Sequence, residues 1–504
     1  MPLPRFSYLM PRLLHRNLSL PFLALPILGI YLSTLAPGLT WANHGSDGGD
    51  LITAAYTGGI PHPTGYPLYL LLARLFQFFP IGSLAYRTNL MSVLATVVSV
   101  VLIYGLVSKT LNARGLDHAW LPGLTAGFAF GLAPLVWSQA VITEVYALQA
   151  FLTALILYLY VTPFQRANLK SLDRIRGLVM GLAIGNHVTT LLMLPLVLIL
   201  GDETDSGSNK SRSLDKRIAF SLIRRLVWLF IGLSIYLTLP LRALTDPPVN
   251  WGNPVTLKRF WWLVSGELYW SYYLQFDFNS ILGRLQAWAS LLLQQVGWLG
   301  LVLGVIGLIL FFTRSHLYFA TIWVSLAYSL FAIVYSSDDS YVYLIPVYIS
   351  FAIWIGLGVG NALEKISSHG SVFLWGTAFL LTGYFAFRIP SYIPQVDASK
   401  DTRAEMFGAQ VMSDVPRDAL VFVTGDQAIF SLWYFHFALH QRPDLVIIAE
   451  ELLHFDWYQK TLQDTYPLLD IPTPFPWAQN IINANPNHPA CYVQYAEQPE
   501  IACK

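Results

Sequence analysis

The sequence predicts a mainly α-helical, polytopic membrane protein that ends in a small α/β domain. Of its 504 residues, 55% are hydrophobic and only 12% are charged, whereas soluble globular chains carry about 25% charged residues. The charge is unevenly divided: residues 1–390 hold 24 basic and 15 acidic residues, and residues 391–504 hold 6 basic and 14 acidic residues. This composition argues against a soluble enzyme, a nucleic-acid binder and a disordered scaffold.

Apolar runs long enough to cross a bilayer recur along residues 1–390. A spanning helix needs about 20 largely apolar residues. The candidate runs are 20–35, 90–107, 120–136, 148–160, 226–241, 289–312, 317–335, 342–363 and 372–387. The stretch 177–200 has basic segments at both ends, which favours two short helices that turn at Asn186-His187. The predicted bundle therefore has about eleven transmembrane helices.

The distribution of Lys and Arg predicts the orientation, since cytoplasmic segments next to spans are enriched in these residues. Of the 24 basic residues in this part, 17 fall on the side that holds the N-terminus. We therefore expect a cytoplasmic N-terminus and an extracytoplasmic domain at 391–504. The membrane would be the cell membrane of a bacterium or the endoplasmic reticulum of a eukaryote. Residues 1–390 form the transmembrane domain, with a long first outer loop at 36–87.

Most of the unusual polar clusters fall on the outer face of this arrangement. They are the segments 46–50, 61–67, 144–146, 186–187, 250–254 and 337–341, together with Arg242. Ionisable groups at membrane level are costly and are usually functional. A single site at the outer membrane edge is the economical explanation for the clustering.

Asp47, Asp50 and His62 are the main candidates in the first outer loop. Asp47 and Asp50 are three residues apart in a glycine-rich stretch, so they share a face if a helix begins there. One could be a general base while the other positions an acceptor or a cation; alternatively, Asp47 only caps the helix. His62 stands between Pro61 and Pro63, which suits phosphate binding or proton transfer. Alternatively, it belongs to a stiff turn and bonds only to backbone.

Five further residues join the candidate site. Glu144, close to Tyr146, is a partner for a substrate hydroxyl or for Arg242, or else a surface residue. His187 lies at the predicted turn and either binds a ligand or makes a structural hydrogen bond. Arg242 can hold a phosphate in bidentate fashion or serve as an interfacial anchor. Trp251 could stack on a sugar, although aromatic belts at membrane interfaces are common.

The last segment has the pattern strand, helix, strand. The strand-like runs are 420–423 and 445–449, and a helical pattern covers 428–440 between them. This order predicts a small α/β unit with parallel pairing. Asp426 and Glu450 would lie at the carboxyl ends of the strands, where such sheets bind ligands. Cys491 and Cys503 either form one disulfide, if the domain is in an oxidising compartment, or remain two exposed thiols.

Several segments together resemble one family. The run Asp47-Gly48-Gly49-Asp50, followed by His62-Pro63-Thr64-Gly65-Tyr66-Pro67, is similar to the Asp-Ser-Gly-Glu and His-Pro-Pro-Gly-hydrophobic-Pro signature of the transmembrane protein 260 family. It departs from the signature at Gly48, Asp50 and Thr64. The segments 137–146, 185–187 and 250–254 resemble the same family. That family is linked to protein O-mannosylation and belongs to the GT-C superfamily of polyprenyl-phosphate-sugar glycosyltransferases.

The resemblance implies a GT-C-like bundle whose catalytic acidic residue is Asp47. It implies a membrane glycosyltransferase that moves a mannose-like sugar from a polyprenyl-phosphate donor to a hydroxyl acceptor, in a protein or a glycan, at the outer face. The expected roles are catalysis for Asp47 and Asp50, donor phosphate binding for His62, Arg242 and His187, and acceptor contact or support for Glu144, Tyr146 and Trp251. We predict no metal ligands, while a divalent cation stays possible.

Two other functions stay open at this point. A transporter or flippase would use the broken helix near Gly185, as transporters do. A receptor would act through the domain at 391–504. The sequence has no Walker A loop and no HExxH, CxxC or GxSxG motif. ATP hydrolysis, zinc proteolysis and serine hydrolysis therefore have no support.

Overall fold

Helices make up most of the chain before residue 397, as the apolar composition predicts. The computed structural model describes residues 9–162, 169–199, 211–274, 277–310, 316–366, 371–472 and 475–504. Its helices in this part are α1 (Leu9–Thr34), α2 (Gly48–Thr57), α3 (Pro67–Gln77), α4 (Leu84–Ala113), α5 (Trp120–Gly131), α6 (Pro134–Ala140), α7 (Val145–Val161), α8 (Leu169–Ile184), α9 (Leu194–Ile199), α10 (Ser211–Leu233), α11 (Thr238–Ala243), α12 (Leu257–Val264), α13 (Ser271–Leu274), α14 (Ile281–Leu310), α15 (His316–Val334), α16 (Ile345–Ile366), α17 (Ser371–Phe387) and α18 (Ile389–Val396).

Several of these helices can cross a membrane. In the described residues, five stretches are long and apolar enough: Leu84–Ala113, Ile218–Ala243, Ile281–Leu310, His316–Val334 and Ser340–Lys365. The pair α5 and α6, bent by 68°, adds a sixth if it forms one broken span. Shorter apolar helices cover Ser19–Thr34, Val145–Val161 and Val188–Val197. These helices agree with the predicted class of membrane protein. The predicted number of eleven transmembrane helices stays a prediction.

The predicted helix break at Asn186-His187 is present. Helix α8 ends before this dipeptide, and a 3₁₀ turn at Val188–Met193 leads into α9. Helix α8 packs closely on α10 because glycine lets the two backbones approach: a Cβ on Gly181 would lie 2.2 Å from the carbonyl oxygen of Leu229. This contact positions the end of α8, and with it His187.

The described strands form a single mixed sheet near the C-terminus. The elements are α19 (Arg403–Asp414), β1 (Leu420–Thr424), α20 (Asp426–Trp433), β2 (Val446–Ala449), α21 (Asp456–Thr465), α22 (Trp477–Ala484), β3 (Ala490–Tyr495) and β4 (Pro499–Cys503). In the order β2-β1-β3-β4, β1 is parallel to β2 and to β3, and β4 is antiparallel to β3. The predicted strands and their parallel pairing are confirmed. Cys491 and Cys503 face each other in register and form a disulfide.

This C-terminal segment packs directly on the loop at 36–87. The carboxylate of Asp401 accepts hydrogen bonds from the Thr40 hydroxyl at 2.7 Å and from the Trp41 backbone nitrogen at 2.9 Å. Helix α2 also approaches α20 closely, because a Cβ on Gly49 would lie 2.3 Å from the carbonyl oxygen of Phe430. One buried apolar cluster continues through both parts. Helix α20 therefore lies over the loop that carries Asp47.

Candidate active site

A cavity of about 560 Å³ lies between the loop at 36–87, the break after α8, and helix α20. The sequence-predicted residues in its lining are Asp47, His62, Glu144, Tyr146, His187 and Trp251. Asp50 lies directly behind His62. Arg242 is not among the described lining residues, and its Nη1 donates to the carbonyl oxygen of Gly59 at 3.1 Å. The structure thus brings the predicted residues together, with the exception of Arg242.

Asp47 turns its carboxylate to the cavity. It occupies the position before the first residue of α2, but among the described residues its side chain makes no capping hydrogen bond to the helix. The interpretation of Asp47 as a helix cap is therefore wrong. The side chain is 34% exposed, and its Oδ1 accepts a hydrogen bond from the Ser46 hydroxyl at 3.3 Å. Partial burial raises the pKa of Asp47, while the charge of His62 opposes this rise.

His62 lies between two carboxylates. Oδ2 of the fully buried Asp50 accepts hydrogen bonds from the His62 backbone nitrogen at 2.8 Å and from Nδ1 at 2.7 Å. On the other side of the ring, Nε2 lies 3.4 Å from Asp47 Oδ2 and 3.2 Å from the Tyr66 hydroxyl. Burial lowers the pKa of His62, but Asp47 and Asp50 outweigh burial and raise the pKa to about 9. His62 is therefore a cation at neutral pH, and Asp50 orients it.

Glu144 is a buried carboxyl group, so the interpretation of it as a surface residue is wrong. It immediately precedes α7 and is only 5% exposed. Burial and the negative charge of Asp47 raise the pKa of Glu144, although His62 opposes this. Glu144 therefore holds a proton more readily than an exposed glutamate does.

His187 makes the structural hydrogen bond that the sequence allowed for, while ligand binding stays a prediction for it. Its Nδ1 accepts a hydrogen bond from the Thr189 backbone nitrogen at 3.3 Å and lies 2.9 Å from the Thr189 hydroxyl. These bonds place the proton of the neutral ring on Nε2. The ring also lines the cavity, and its centroid lies 5.9 Å from those of Tyr66 and Tyr146 and 5.6 Å from that of Tyr343. His187 is thus a positioned hydrogen-bond donor in an aromatic wall.

The Trp251 ring lies close to aromatic rings from three separate segments around the cavity. Its ring centroid lies 6.4 Å from that of His62, 6.3 Å from that of Phe430 in α20 and 5.7 Å from that of Trp457 in α21. Trp251 is 5% exposed. Its ring packs between the His62 loop and helices α20 and α21, and stacking on a sugar stays a prediction for it.

Several residues of the cavity lining were not predicted as site residues from the sequence. Asp339 and Asp426 line the cavity, as do Tyr269 and Tyr343. Burial, and then the charge of Asp47, raise the pKa of Asp426 to about 6. From the sequence, Asp339 was noted only as a member of the polar segment 337–341. Asp426 was noted only as a residue at the end of a predicted strand. Among the described residues, no group of three His, Cys, Asp or Glu side chains is placed to hold a metal ion.

Two family domains match this chain. The domain described as "Protein O-mannosyl-transferase TMEM260 N-terminal domain" covers residues 47–201, and "TMEM260-associated domain 2" covers residues 404–498. The predicted resemblance to the transmembrane protein 260 family is confirmed. The matched ranges include Asp47, His62, Glu144 and His187 in the first domain and Asp426 in the second.

Curated relatives agree with these matches. The chain is 26% identical over 473 residues to "Protein O-mannosyl-transferase TMEM260" of Mus musculus, covering 85% of this chain and 62% of that protein. It is 24% identical over 502 residues to "Protein O-mannosyl-transferase tmem260" of Dictyostelium discoideum, covering 88% and 58%. The chain thus spans less than two thirds of the length of either relative.

Solved structures with the GT-C fold resemble nearly the full length of this chain. ArnT from Cupriavidus metallidurans bound to undecaprenyl phosphate matches with a TM-score of 0.57 at 13% identity, covering 97% of this chain and 93% of ArnT. The oligosaccharyltransferase AglB from Archaeoglobus fulgidus, in complex with an inhibitory peptide and a dolichol-phosphate, matches with a TM-score of 0.54 at 10% identity, covering 94% and 69%. At this identity, the similarity concerns the fold.

Proposed function

We propose that this chain is a membrane glycosyltransferase that moves a mannose-like sugar from a polyprenyl phosphate to a hydroxyl acceptor at the outer face. The observation that carries the proposal is the Asp47 carboxylate, which faces the cavity beside a His62 cation held by Asp50. The names of the curated relatives support the sugar. The lipid phosphates bound to ArnT and AglB support the class of donor.

Asp47 acts as the general base in this proposal. It takes the proton of the acceptor hydroxyl, whose oxygen attacks the anomeric carbon of the sugar. The bond from that carbon to the phosphate oxygen breaks, and the phosphate leaves with the bonding electrons. The raised pKa of Asp47 strengthens it as a base, and general base catalysis contributes about 10²–10⁴-fold to a rate.

His62 and His187 serve the donor phosphate. His62 supplies a positive charge from a buried position, where charge stabilisation of a leaving group is stronger than in water. His187 supplies an Nε2–H donor. Asp50 is a positioning residue, because it contacts His62 and lies behind it as seen from the cavity. Arg242, which the sequence proposed for this role, bonds to the loop backbone instead and is left out of the donor site.

The remaining lining suits a sugar. Carboxyl and phenol groups accept and donate hydrogen bonds to sugar hydroxyls, and Glu144, Tyr146, Asp339 and Asp426 all line the cavity. A volume of about 560 Å³ is within the usual range of about 300–1,000 Å³ for small-molecule sites. Since the described residues offer no cluster for a metal ion, no step is assigned to a divalent cation.

The outer-face location has two sources of support. The Lys and Arg distribution predicts that residues 391–504 are extracytoplasmic. The disulfide between Cys491 and Cys503 is typical of an oxidising compartment. Helix α20 of this segment contributes Asp426 to the cavity, so the proposed site requires both parts of the chain on one side of the membrane.

The alternative function is that of a transporter, which was suggested by the predicted helix break near Gly185. The break is present, but His187 at the break faces the same cavity as Asp47 and His62. Under the glycosyltransferase proposal, the break serves to place His187 in the lining of the active site.

Purified protein in proteoliposomes that contain labelled dolichyl-phosphate mannose tests the proposal. Wild-type protein should transfer label to a pool of threonine-containing peptides or release it to water. Asp47→Asn should reduce both rates by about 10²–10⁴-fold, with donor binding retained. Asp414→Asn, the same change at an exposed position, is the matched control. Wild-type rates in Asp47→Asn would exclude Asp47 as the base, and no turnover by wild-type protein with any labelled polyprenyl-phosphate sugar would refute the proposed function.

A further inference from the structure

We propose that Arg74 and Arg242 form a binding site, outside the active-site cavity, for the phosphate head group of an anionic membrane lipid. The sequence predicted a phosphate ligand for Arg242, and the structure keeps this side chain away from the donor. Neither arginine belongs to the described lining of the cavity. The inference concerns lipid binding and does not depend on glycosyl transfer.

Both guanidinium groups lie at the carboxyl end of α2. The central carbon of the Arg74 guanidinium lies 4.9 Å from the centroid of the Tyr56 ring in α2 and 4.9 Å from that of the Phe78 ring. Nη1 of Arg242 donates to the carbonyl oxygen of Gly59, just after α2, at 3.1 Å. The two groups are close enough for the charge of Arg74 to act on Arg242. Helices α3 and α11 therefore bring two positive charges to one place.

The protein does not neutralise these two charges. In the described part of the chain, no carboxylate lies within 4.0 Å of either guanidinium. The carboxyl end of a helix carries about half a negative charge, so the end of α2 offsets about a quarter of the two positive charges. Uncompensated charge at membrane level is costly. An anion bound between Arg74 and Arg242 would remove this cost.

Most of the hydrogen-bonding capacity of the pair is also unused. Arg242 donates to Gly59, and Arg74 donates to no acceptor among the described residues. The rings of Tyr56 and Phe78 contact the Arg74 guanidinium and hold it in place, while its N–H groups lie in the guanidinium plane. A guanidinium has a fork of N–H donors that matches the oxygens of a phosphate. The pair is therefore suited to a phosphate group.

The site lies at the edge of the membrane. Arg242 is the last residue but one of the apolar stretch Ile218–Ala243. The turn before α3 lies against the same stretch, since a Cβ on Gly65 would lie 3.1 Å from a side-chain carbon of Leu239. Apolar side chains that are more than 40% exposed lie on α3 and around α11: Leu71, Leu75, Phe78, Phe79, Leu237, Leu241 and Leu244.

A lipid accounts for both features of this surface. Its phosphate would reach the two arginines, and its hydrocarbon chains would cover the exposed apolar side chains of α3 and α11. A free phosphate ion would use the arginines alone. Electrostatic attraction to anionic lipids combined with apolar contact is the usual way in which a protein surface recognises a membrane lipid.

Full-length protein in detergent, titrated with phosphatidylglycerol, phosphatidylcholine or inorganic phosphate, tests the inference. Native mass spectrometry counts the bound lipid. The melting temperature provides a second measurement, because a ligand that binds only the folded protein raises it. Arg74→Gln/Arg242→Gln removes both charges of the site. Lys400→Gln/Arg417→Gln is the matched control, since it removes two exposed positive charges from the C-terminal segment.

We expect phosphatidylglycerol to bind the wild-type protein more tightly than phosphatidylcholine does. Arg74→Gln/Arg242→Gln should weaken phosphatidylglycerol binding by about 30-fold, and the control should bind as the wild type does. Arg74→Gln alone should weaken binding by about fivefold, and Arg74→Lys, which keeps the charge, should weaken it less. If the double variant does not fold, Arg74→Gln carries the test, because Arg74 donates no hydrogen bond to the described residues.

Three results would overturn the inference. The first is equal affinity of the wild-type protein for the two lipids, and the second is unchanged phosphatidylglycerol binding in the arginine variants. The third is inorganic phosphate that raises the melting temperature as much as phosphatidylglycerol does at the same concentration. A higher Kd for dolichyl-phosphate mannose in Arg74→Gln/Arg242→Gln would also contradict a separate site, because the pair would then serve the donor. The proposed glycosyl transfer stands or fails by its own assay.

Discussion

Replacing Asp50 with asparagine should change how the melting temperature and the transfer rate depend on pH. The substitution should leave no cavity in the core. Asp50 is fully buried, and its Oδ2 accepts two hydrogen bonds from His62. Asparagine has nearly the same shape, and its carbonyl oxygen can still accept the bond from the His62 backbone nitrogen. The negative charge that keeps the imidazole protonated is lost.

The structure sets the size of the effect. The pKa of His62 is about 9, against an ordinary value of 6.5, and this difference corresponds to on the order of 3 kcal/mol of interaction. Asp47 and Asp50 supply this energy together against burial, which lowers the pKa. Asp50 is the nearer carboxylate to the ring, at 2.7 Å against 3.4 Å for Asp47. Asp50→Asn should therefore move the pKa of His62 well below 9, and a return to the ordinary value would correspond to about 3 kcal/mol.

The sign of the pH effect follows from the raised pKa. A histidine whose pKa is raised by folding contributes its full stabilisation below its unfolded pKa of 6.5 and loses it as the pH rises through about 9. The melting temperature of the wild-type protein should thus fall between these two pH values. That of Asp50→Asn should be lower at pH 6 and change little over the same range.

Transfer rates measured against pH provide the second assay. The rate of the wild-type protein should decline near pH 9, where His62 loses its proton, and that of Asp50→Asn should decline at a lower pH. Asp414→Asn, at an exposed position, should match the wild type in both assays. If Asp50→Asn keeps the alkaline limb and the melting profile of the wild-type protein, then Asp50 does not hold His62 in its charged form.

Three further predictions concern packing, the donor site and the disulfide. Gly49→Ala should destabilise the protein by about 1–3 kcal/mol, seen as a lower melting temperature, because its Cβ would lie 2.3 Å from a carbonyl oxygen of α20. Gly283→Ala, where a Cβ would meet no described atom within 4 Å, should not have this effect. Arg242→Ala should leave the Kd for dolichyl-phosphate mannose unchanged, and a large increase in Kd would return this residue to the donor site. Cys491 and Cys503 should resist alkylation until a reductant is added, and their replacement by serine should cost about 2–4 kcal/mol; immediate alkylation of both thiols in native protein would contradict the bridge.

Local sequence patterns predicted much of the site. The spacing of Asp47 and Asp50 at a helix start, and the prolines around His62, identified the loop that lines the cavity, because short-range spacing determines which side chains share a face. The break at Asn186-His187 followed from charge at both ends of an apolar stretch. The strands and their parallel pairing followed from two apolar runs on either side of a helical pattern. Each of these features depends on residues that are near one another in the chain.

Contacts between distant segments were decided only by the tertiary structure. The sequence could not show that Asp47 faces a cavity instead of capping α2, or that Arg242 bonds to backbone outside the described cavity lining. It also could not place Asp426 and Asp47 on the same cavity, because this arrangement depends on the close approach of α2 and α20. The two helices can approach only because Gly49 has no side chain at the point where it faces a carbonyl group far along the chain. A local pattern does not encode it, since each helix is compatible with many partners until the whole core packs.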